Sequence, residues 1–184
     1  DYEKAFKYML YFDQFRGEHS TGVMIASKSY VGDVTATEVV KTLGSPSELY
    51  AKHGKIQGKT SLTSKGKLFC LLGHTRYATQ GGISEETAHP FDMGEVIGAH
   101  NGTVLKYTLE DLFEAKEYQV DSQRIYSHLG QGNPITDVWK VADGAMALTW
   151  FNKNDNKLRI IRNKERPLFT ALTKDKKYIF WSSE

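Results

Sequence analysis

Apolar positions along the chain follow two periods. Near the start, Ala5, Phe6, Met9, Leu10 and Phe12 recur at the spacing of one helix face, which predicts an amphipathic helix over residues 3–14. Arg16-Gly17 stops it. Thr21–Ile25 and Tyr30–Val40 read as strands joined near the turn dipeptide Gly32-Asp33. Ser45-Pro46-Ser47-Glu48 carries a serine cap, a first-turn proline and a glutamate three residues after the cap, the signature of a helix start. That helix runs to about Lys52 and closes at Gly54. Residues 55–66 are polar and turn-rich, and strands follow at 67–72 and 95–99 around a long loop holding Gly81-Gly82. Thr108 with Asp111 marks one helix start. Asp121 caps another that runs through Ile125 and Leu129 to Gly130, and Pro134–Val141 is a third. The rest reads as strand: Ala145–Phe151, Leu158–Arg162, Leu168–Leu172 and Tyr178–Trp181, an antiparallel meander with Asn- and Lys-rich turns. Strands outnumber helices, so the expected class is α+β with two antiparallel sheets, not a parallel Rossmann-type sheet. No internal repeat or long linker divides the chain, and residues 1–184 read as one domain.

Composition narrows the function. The 24 basic and 22 acidic residues leave a net charge of +2, which implies no strongly charged partner. The Lys-rich stretches Lys52–Lys67 and Lys174–Lys177 lie beside turn residues and lack interleaved aromatics. They read as solvated loops, and no nucleic-acid partner is expected. No apolar run approaches the ~20 residues needed to span a bilayer, and no signal-peptide pattern opens the chain. A single cysteine fits a reducing compartment. The expectation is a cytoplasmic protein with no membrane contact.

Two apolar runs lead into polar, glycine-flanked segments. Lys67–Leu72 precedes Gly73-His74-Thr75-Arg76-Tyr77-Ala78-Thr79, and Val96–Ala99 precedes His100-Asn101-Gly102-Thr103. Arg76 offers a planar fork for a carboxylate, or else a structural salt bridge. Thr79 can add a hydroxyl or backbone donor to the same carboxylate. Asn101 and the Gly102 amide offer two neutral donors to an oxyanion, or else form an Asn-Gly turn. Asp121 suits a helix cap or a ligand ammonium. A carboxylate site, an ammonium site and an oxyanion hole together describe an amino-acid amide, glutamine or asparagine. His74, His89 and His100 lack tight ligand spacing, so no metal is expected. Cys70, inside the run Leu68–Leu72, reads as a buried thiol and not as a nucleophile.

Five segments in series then carry a resemblance: Gly73–Thr79, Ala88-His89-Pro90, His100-Asn101-Gly102, Asp121-Ser122 and, upstream, Arg16-Gly17-Glu18-His19-Ser20-Thr21-Gly22. Gly144-Ala145 and Arg166-Pro167-Leu168 are similar to later strands of the same pattern. From about residue 16 to the end, the chain resembles the class II glutamine amidotransferase domain of the N-terminal-nucleophile (Ntn) hydrolases. The resemblance implies a four-layer αββα sandwich of two antiparallel sheets flanked by helices, and glutamine as substrate without a cofactor. It implies that Arg76 and Thr79 hold the α-carboxylate, that Asp121 holds the α-ammonium, and that Tyr77 and His89 belong to the same binding set. Asn101 and Gly102 would form the oxyanion hole, Tyr77–Gly82 would close over the substrate, and Arg16 would orient loops around the nucleophile. The family's nucleophile is an N-terminal cysteine whose own α-amine acts as base. It releases ammonia and leaves a γ-glutamyl thioester for water.

The chain departs from this pattern at its start. Residue 1 is aspartate, and no Cys, Ser or Thr precedes Ser20. The expectation is therefore a domain trimmed of the N-terminal strand that bears the cysteine. His19 stands where the family usually has an acidic residue. No synthase domain accompanies the chain, which looks like the compact stand-alone versions of some bacteria and phages, the latter working in the host cytoplasm. The expected partner is an ammonia-accepting synthase or another protein. The competing reading is a catalytically inactive Ntn-fold protein that acts through a protein partner.

Overall fold

A computed structural model of the chain describes residues 2–29, 35–54, 66–112 and 118–184. The Gly32-Asp33 turn and residues 55–65 lie outside them. The chain opens with helix α1 (Tyr2–Asp13) and a 3-10 turn (Gln14–Arg16), followed by strands β1 (Ser20–Ser29) and β2 (Thr35–Leu43). Helix α2 (Pro46–His53), the long strand β3 (Gly66–Arg76), β4 (Phe91–Met93) and β5 (Val96–Val104) come next. A 3-10 segment (Lys106–Leu112) leads to helices α3 (Asp121–Gly130) and α4 (Ile135–Val141). Strands β6 (Gly144–Asn152), β7 (Lys157–Arg162), β8 (Phe169–Leu172) and β9 (Ile179–Ser182) complete it. Among the described residues, no helix is long and apolar enough to cross a membrane.

Among the described residues the strands form three sheets, ordered β2-β1-β3, β4-β5-β6-β7 and β8-β9. Every pairing is antiparallel, in keeping with an α+β class. Strand β1 is buried from Ser20 to Ser27 because both of its faces are covered, and its alternate residues serve two different cores. Val23 and Ile25 pack with Leu10 of α1, Leu49 of α2, Val40 and Leu68. Met24 and Ala26 point the other way and meet Leu72, Ile97, Ala99 and Phe151, which joins the first sheet to the second. The far face of the second sheet contributes Val96, Val104, Met146, Leu148 and Trp150 to a third core with Ile125, Leu129 and Val138 of α3 and α4. Full burial of a side chain of this size stabilises by ~1.5–3 kcal/mol, so the layers hold one another in place.

The helix start at Ser45 is present, with the Glu48 carboxylate accepting from the Ser45 amide and Gly54 ending α2. Three expectations need correction. Thr108 does not cap an α-helix: it lies inside the 3-10 segment, and its hydroxyl donates to the Leu105 carbonyl. The last four strands are not one meander. β6 and β7 extend the second sheet, whereas β8 and β9 pair only with each other among the described residues. Finally, β3 and β5 run past their apolar stretches, because β1 and β6 still supply ladder partners there. Arg76 pairs with Ser20, and Asn101 with Ala147, so Asn101-Gly102 is strand and not a turn.

Close approach of α3 to β5 needs glycine at position 98. A Cβ there would lie 2.1 Å from Cε1 of Tyr126, whose ring is fully buried and whose hydroxyl donates to the Ala99 carbonyl. Gly98→Ala is expected to destabilise the fold by about 2–3 kcal/mol, read as a lowered urea midpoint with an unchanged m-value.

Candidate active site

The C-terminal part of β3, the second half of β5 and the first turn of α3 converge on a cavity of about 260 Å³. Its walls include every position given a site role from the sequence: Arg16, Arg76, Tyr77, Thr79, His89, Asn101, Gly102 and Asp121. The volume lies near the lower end of small-molecule pockets (~300–1,000 Å³), the scale of a single amino acid and not of a nucleotide.

Arg76 is 5% exposed and built into its own loop. Nη1 donates to the Gly82 carbonyl (3.0 Å) and the Thr87 hydroxyl (3.2 Å), and Nη2 to the Gln80 carbonyl. Three of the five guanidinium donors are thus used among the described residues, and two are left for a ligand. Burial pulls Arg76 down from its ordinary range, and the Asp121 carboxylate opposes that shift.

Asp121 is also buried, and it is the first residue of α3, after the Val120 cap. The cap position is closed by Gln123, whose Oε1 accepts from the Gln119 and Val120 amides. Asp121 Oδ2 accepts from the Val104 amide (2.7 Å), and Oδ1 accepts from the Ser122 amide (2.8 Å) and hydroxyl (3.2 Å). These bonds lock the carboxylate in place and use three of its four lone-pair sites, which leaves one on Oδ2 for a cation.

Asn101 differs from both. Its Nδ2 is buried and makes no hydrogen bond among the described residues, and the residue lines the cavity. An orphaned buried donor costs ~1–3 kcal/mol, so natural structures keep few of them. Gly102 follows at φ +148°, and a Cβ there would lie 1.9 Å from the Ala145 carbonyl oxygen. Only glycine brings this backbone so close to β6.

Three histidines make a neutral, tightly packed wall. His74 and His89 rings lie 4.3 Å apart, and His89 meets the Phe91 ring edge-on at 4.6 Å. His74 Nε2 bonds the His100 carbonyl (3.1 Å), and His100 Nδ1 meets the Ser122 hydroxyl (3.0 Å). Burial pushes His74 down to about 4 and His89 well below its usual value. It also lowers His100, against the pull of Asp121. Both ring nitrogens of His89 lack partners among the described residues. Sequence reasoning weighed His74 and His100 only as metal ligands and placed His89 in the binding set; for His74 and His100, a position at the end of an apolar run was the signal for a buried neutral ring. Among the described residues, no group of three or more His, Cys, Asp or Glu side chains is placed to hold a metal ion.

Thr79 lies at the cavity rim, its hydroxyl 3.3 Å from that of Thr103, and Tyr77 is exposed. Arg16 turns toward the end of the chain, donating to Ser183 Oγ (3.3 Å) and Glu184 Oε1 (3.2 Å). Asp13, which the sequence did not single out, also lines the cavity. Burial pushes its carboxyl up, Glu184 adds to that and Arg16 opposes it. No local pattern marks Asp13, because apart from Arg16 its neighbours in the cavity lie dozens of residues away.

Asp13, Gly73 and Trp181 are shared with a second feature, an apolar groove of about 690 Å³. It runs between β3, at the edge of the first sheet, and β9 of the small sheet, with Leu68, Phe69, Phe180 and Trp181 on its walls. Both strands run toward the cavity. At the far end, Tyr2 of α1 stacks on Tyr178 with ring centroids 5.1 Å apart. Cys70 lies on this groove and not in the cavity, and burial pushes its thiol up to about 12, where it is not nucleophilic.

No family model matches the chain. It is similar to glutamine–fructose-6-phosphate aminotransferases (isomerizing) of several microbes. Identity is 30% over 131 residues with the protein of Methanococcus maripaludis, covering 60% of this chain. It is 27% over 168 residues with that of Gluconobacter oxydans, covering 84%. It is 25% over 174 residues with that of Streptococcus pneumoniae, covering 86%. The chain spans only 22–26% of the length of these relatives. It is a distant homologue of enzymes whose names place glutamine among their substrates.

Proposed function

We propose that this chain is a glutamine-hydrolysing amidotransferase domain of the Ntn type, built as a four-layer αββα sandwich. The order of its packed cores (helices, sheet, sheet, helices) supports that architecture. The observation that carries the function is Asn101 Nδ2. It is a buried donor with no partner among the described residues, on the wall of a cavity where Arg76 and Asp121 supply opposite charges. That set matches the amide, carboxylate and ammonium of glutamine. The two spare donors of Arg76, with Thr79, take the α-carboxylate, Asp121 takes the α-ammonium, and Tyr77 and His89 complete the pocket.

In this reading the nucleophile is an N-terminal cysteine on a strand preceding residue 1. The groove supports it: two strand edges with no partner among the described residues flank an apolar channel, the setting in which a further strand is added. A strand antiparallel to both β3 and β9 would begin at the cavity and end near Tyr2. Its α-amine, titrating near ~8, takes the thiol proton, and sulfur attacks the side-chain carbonyl carbon. Asn101 Nδ2 and the Gly102 amide hold the oxyanion. Collapse returns the proton to nitrogen and expels ammonia, leaving a γ-glutamyl thioester that water cleaves to glutamate. Arg16 holds the chain around the mouth of the site. The ammonia passes to a synthase site elsewhere in the protein or in a partner, and the thiol stays reduced in a cytoplasmic setting.

The test is mass spectrometry of the full-length protein after treatment with a diazoketone analogue of glutamine. A single adduct on an N-terminal cysteine, with loss of ammonia release, is the expected result. An unmodified protein that releases no ammonia from glutamine overturns the reading in favour of an inactive fold acting through a protein partner.

A further inference from the structure

The segment that leaves β3 after Arg76 is held at its first three positions by one side of His19. The His19 amide donates to the Arg76 carbonyl (3.0 Å). Its imidazole stacks on Tyr77, with centroids 4.7 Å apart and planes at 27°, and its Nδ1 accepts from the Ala78 amide at 2.9 Å. Because the partner at Nδ1 is a backbone N–H, that nitrogen carries a lone pair and no proton. The His19 carbonyl in turn accepts from the Gly44 amide (3.1 Å), which anchors it to the corner between β2 and α2. Gly17 presses on the same backbone: a Cβ there would lie 2.3 Å from the Tyr77 nitrogen and 2.4 Å from the Arg76 carbonyl carbon. Further along, Arg76 itself ties down the Gln80 and Gly82 carbonyls.

We propose that His19 is a positioning residue for carboxylate recognition. By accepting from Ala78 and stacking on Tyr77, it fixes the peptide planes of residues 76–78, so that Arg76 and Thr79 keep facing the cavity. The inference rests on the reading of Arg76 as the partner of the substrate α-carboxylate. Main-chain donors near a binding loop are commonly satisfied by a short polar side chain. Here an imidazole does so and adds a ring on which the exposed Tyr77 can lie.

The experiment separates the acceptor from the ring. His19→Asn sets an amide oxygen near the place of Nδ1 and keeps the acceptor; His19→Phe keeps the stack and removes it. In the full-length protein, His19→Phe is expected to raise KM for glutamine about 10-fold, the equivalent of one lost hydrogen bond, with kcat within about 2-fold. His19→Asn is expected to stay within about 2-fold of wild type in both. With γ-aminobutyramide, which lacks the α-carboxylate, His19→Phe and wild type should have the same kcat/KM. Equal losses in the two variants, an unchanged KM in His19→Phe, or an equal loss on both substrates would overturn the assignment. Should His19→Phe fail to fold, His19→Ala carries the same comparison. Arg76→Ala is the control. If it leaves KM for glutamine unchanged, the carboxylate reading itself falls. If it raises KM and His19→Phe does not, only the role of His19 falls.

Discussion

Asn101→Ala is expected to lower kcat for glutamine hydrolysis by about 100- to 1000-fold, with KM changed by less than about 3-fold. The oxyanion exists only in the transition state, so a donor reserved for it contributes little to ground-state binding. The structure adds a second expectation. Asn101 Nδ2 makes no hydrogen bond among the described residues, so alanine removes an unsatisfied buried group and no described contact of that nitrogen. The variant should keep its unfolding free energy to within about 1 kcal/mol while losing turnover. Steady-state kinetics paired with chemical denaturation check both halves. An active Asn101→Ala enzyme would move the oxyanion hole elsewhere. An inactive and grossly destabilised one would make Asn101 a structural residue.

Acidification is expected to unfold this protein earlier than its modest net charge suggests. His74 is held near 4 by burial, against an ordinary value of 6.5. A histidine lowered in the folded state contributes stability in full above about 6.5. That contribution is lost as pH falls toward 4, because the unfolded chain binds the proton first. At about 1.36 kcal/mol per unit, the His74 shift alone corresponds to about 3 kcal/mol between those limits, and to about 2 kcal/mol by pH 5. His89 and His100 are lowered too and act in the same direction over the same window. Asp13, raised chiefly by burial, acts in the opposite sense. Urea midpoints should therefore fall steeply from about pH 7 to pH 5, and His74→Gln should flatten that slope. A midpoint independent of pH over this range would mean that the histidines are solvated or paired in solution.

Much of this architecture is written in short windows of sequence. The capping box at Ser45 and Glu48, the continuous apolar runs of β3 and β5, and the helix ending at Gly130 depend on residues a few positions apart, so propensity and pattern locate them. The same holds for the residue types of the candidate site, since Arg76, Asn101 and Asp121 each offer one recognisable chemistry wherever they fall. Their roles as salt bridge, turn and cap were open alternatives for the same reason: a side chain's chemistry is local, but its partners are not.

Long-range contacts settled the remainder. Arg76 spends three donors on its own loop, Asp121 accepts from Val104, and Asn101 keeps a donor with no partner among the described residues, distinctions that no spacing along the chain encodes. Asp13 reaches the cavity across more than sixty residues, as its carbonyl bond from the Thr75 hydroxyl shows. Strands β8 and β9 read as short apolar strands just as β6 and β7 do, yet among the described residues they stand apart and open a groove beside β3. Alternation reports which face of a strand is apolar, and it is silent on which edge the strand will pair with. That choice is made by the sum of side-chain packing across sheets, where the free energy belongs to the assembled core and to no segment taken alone.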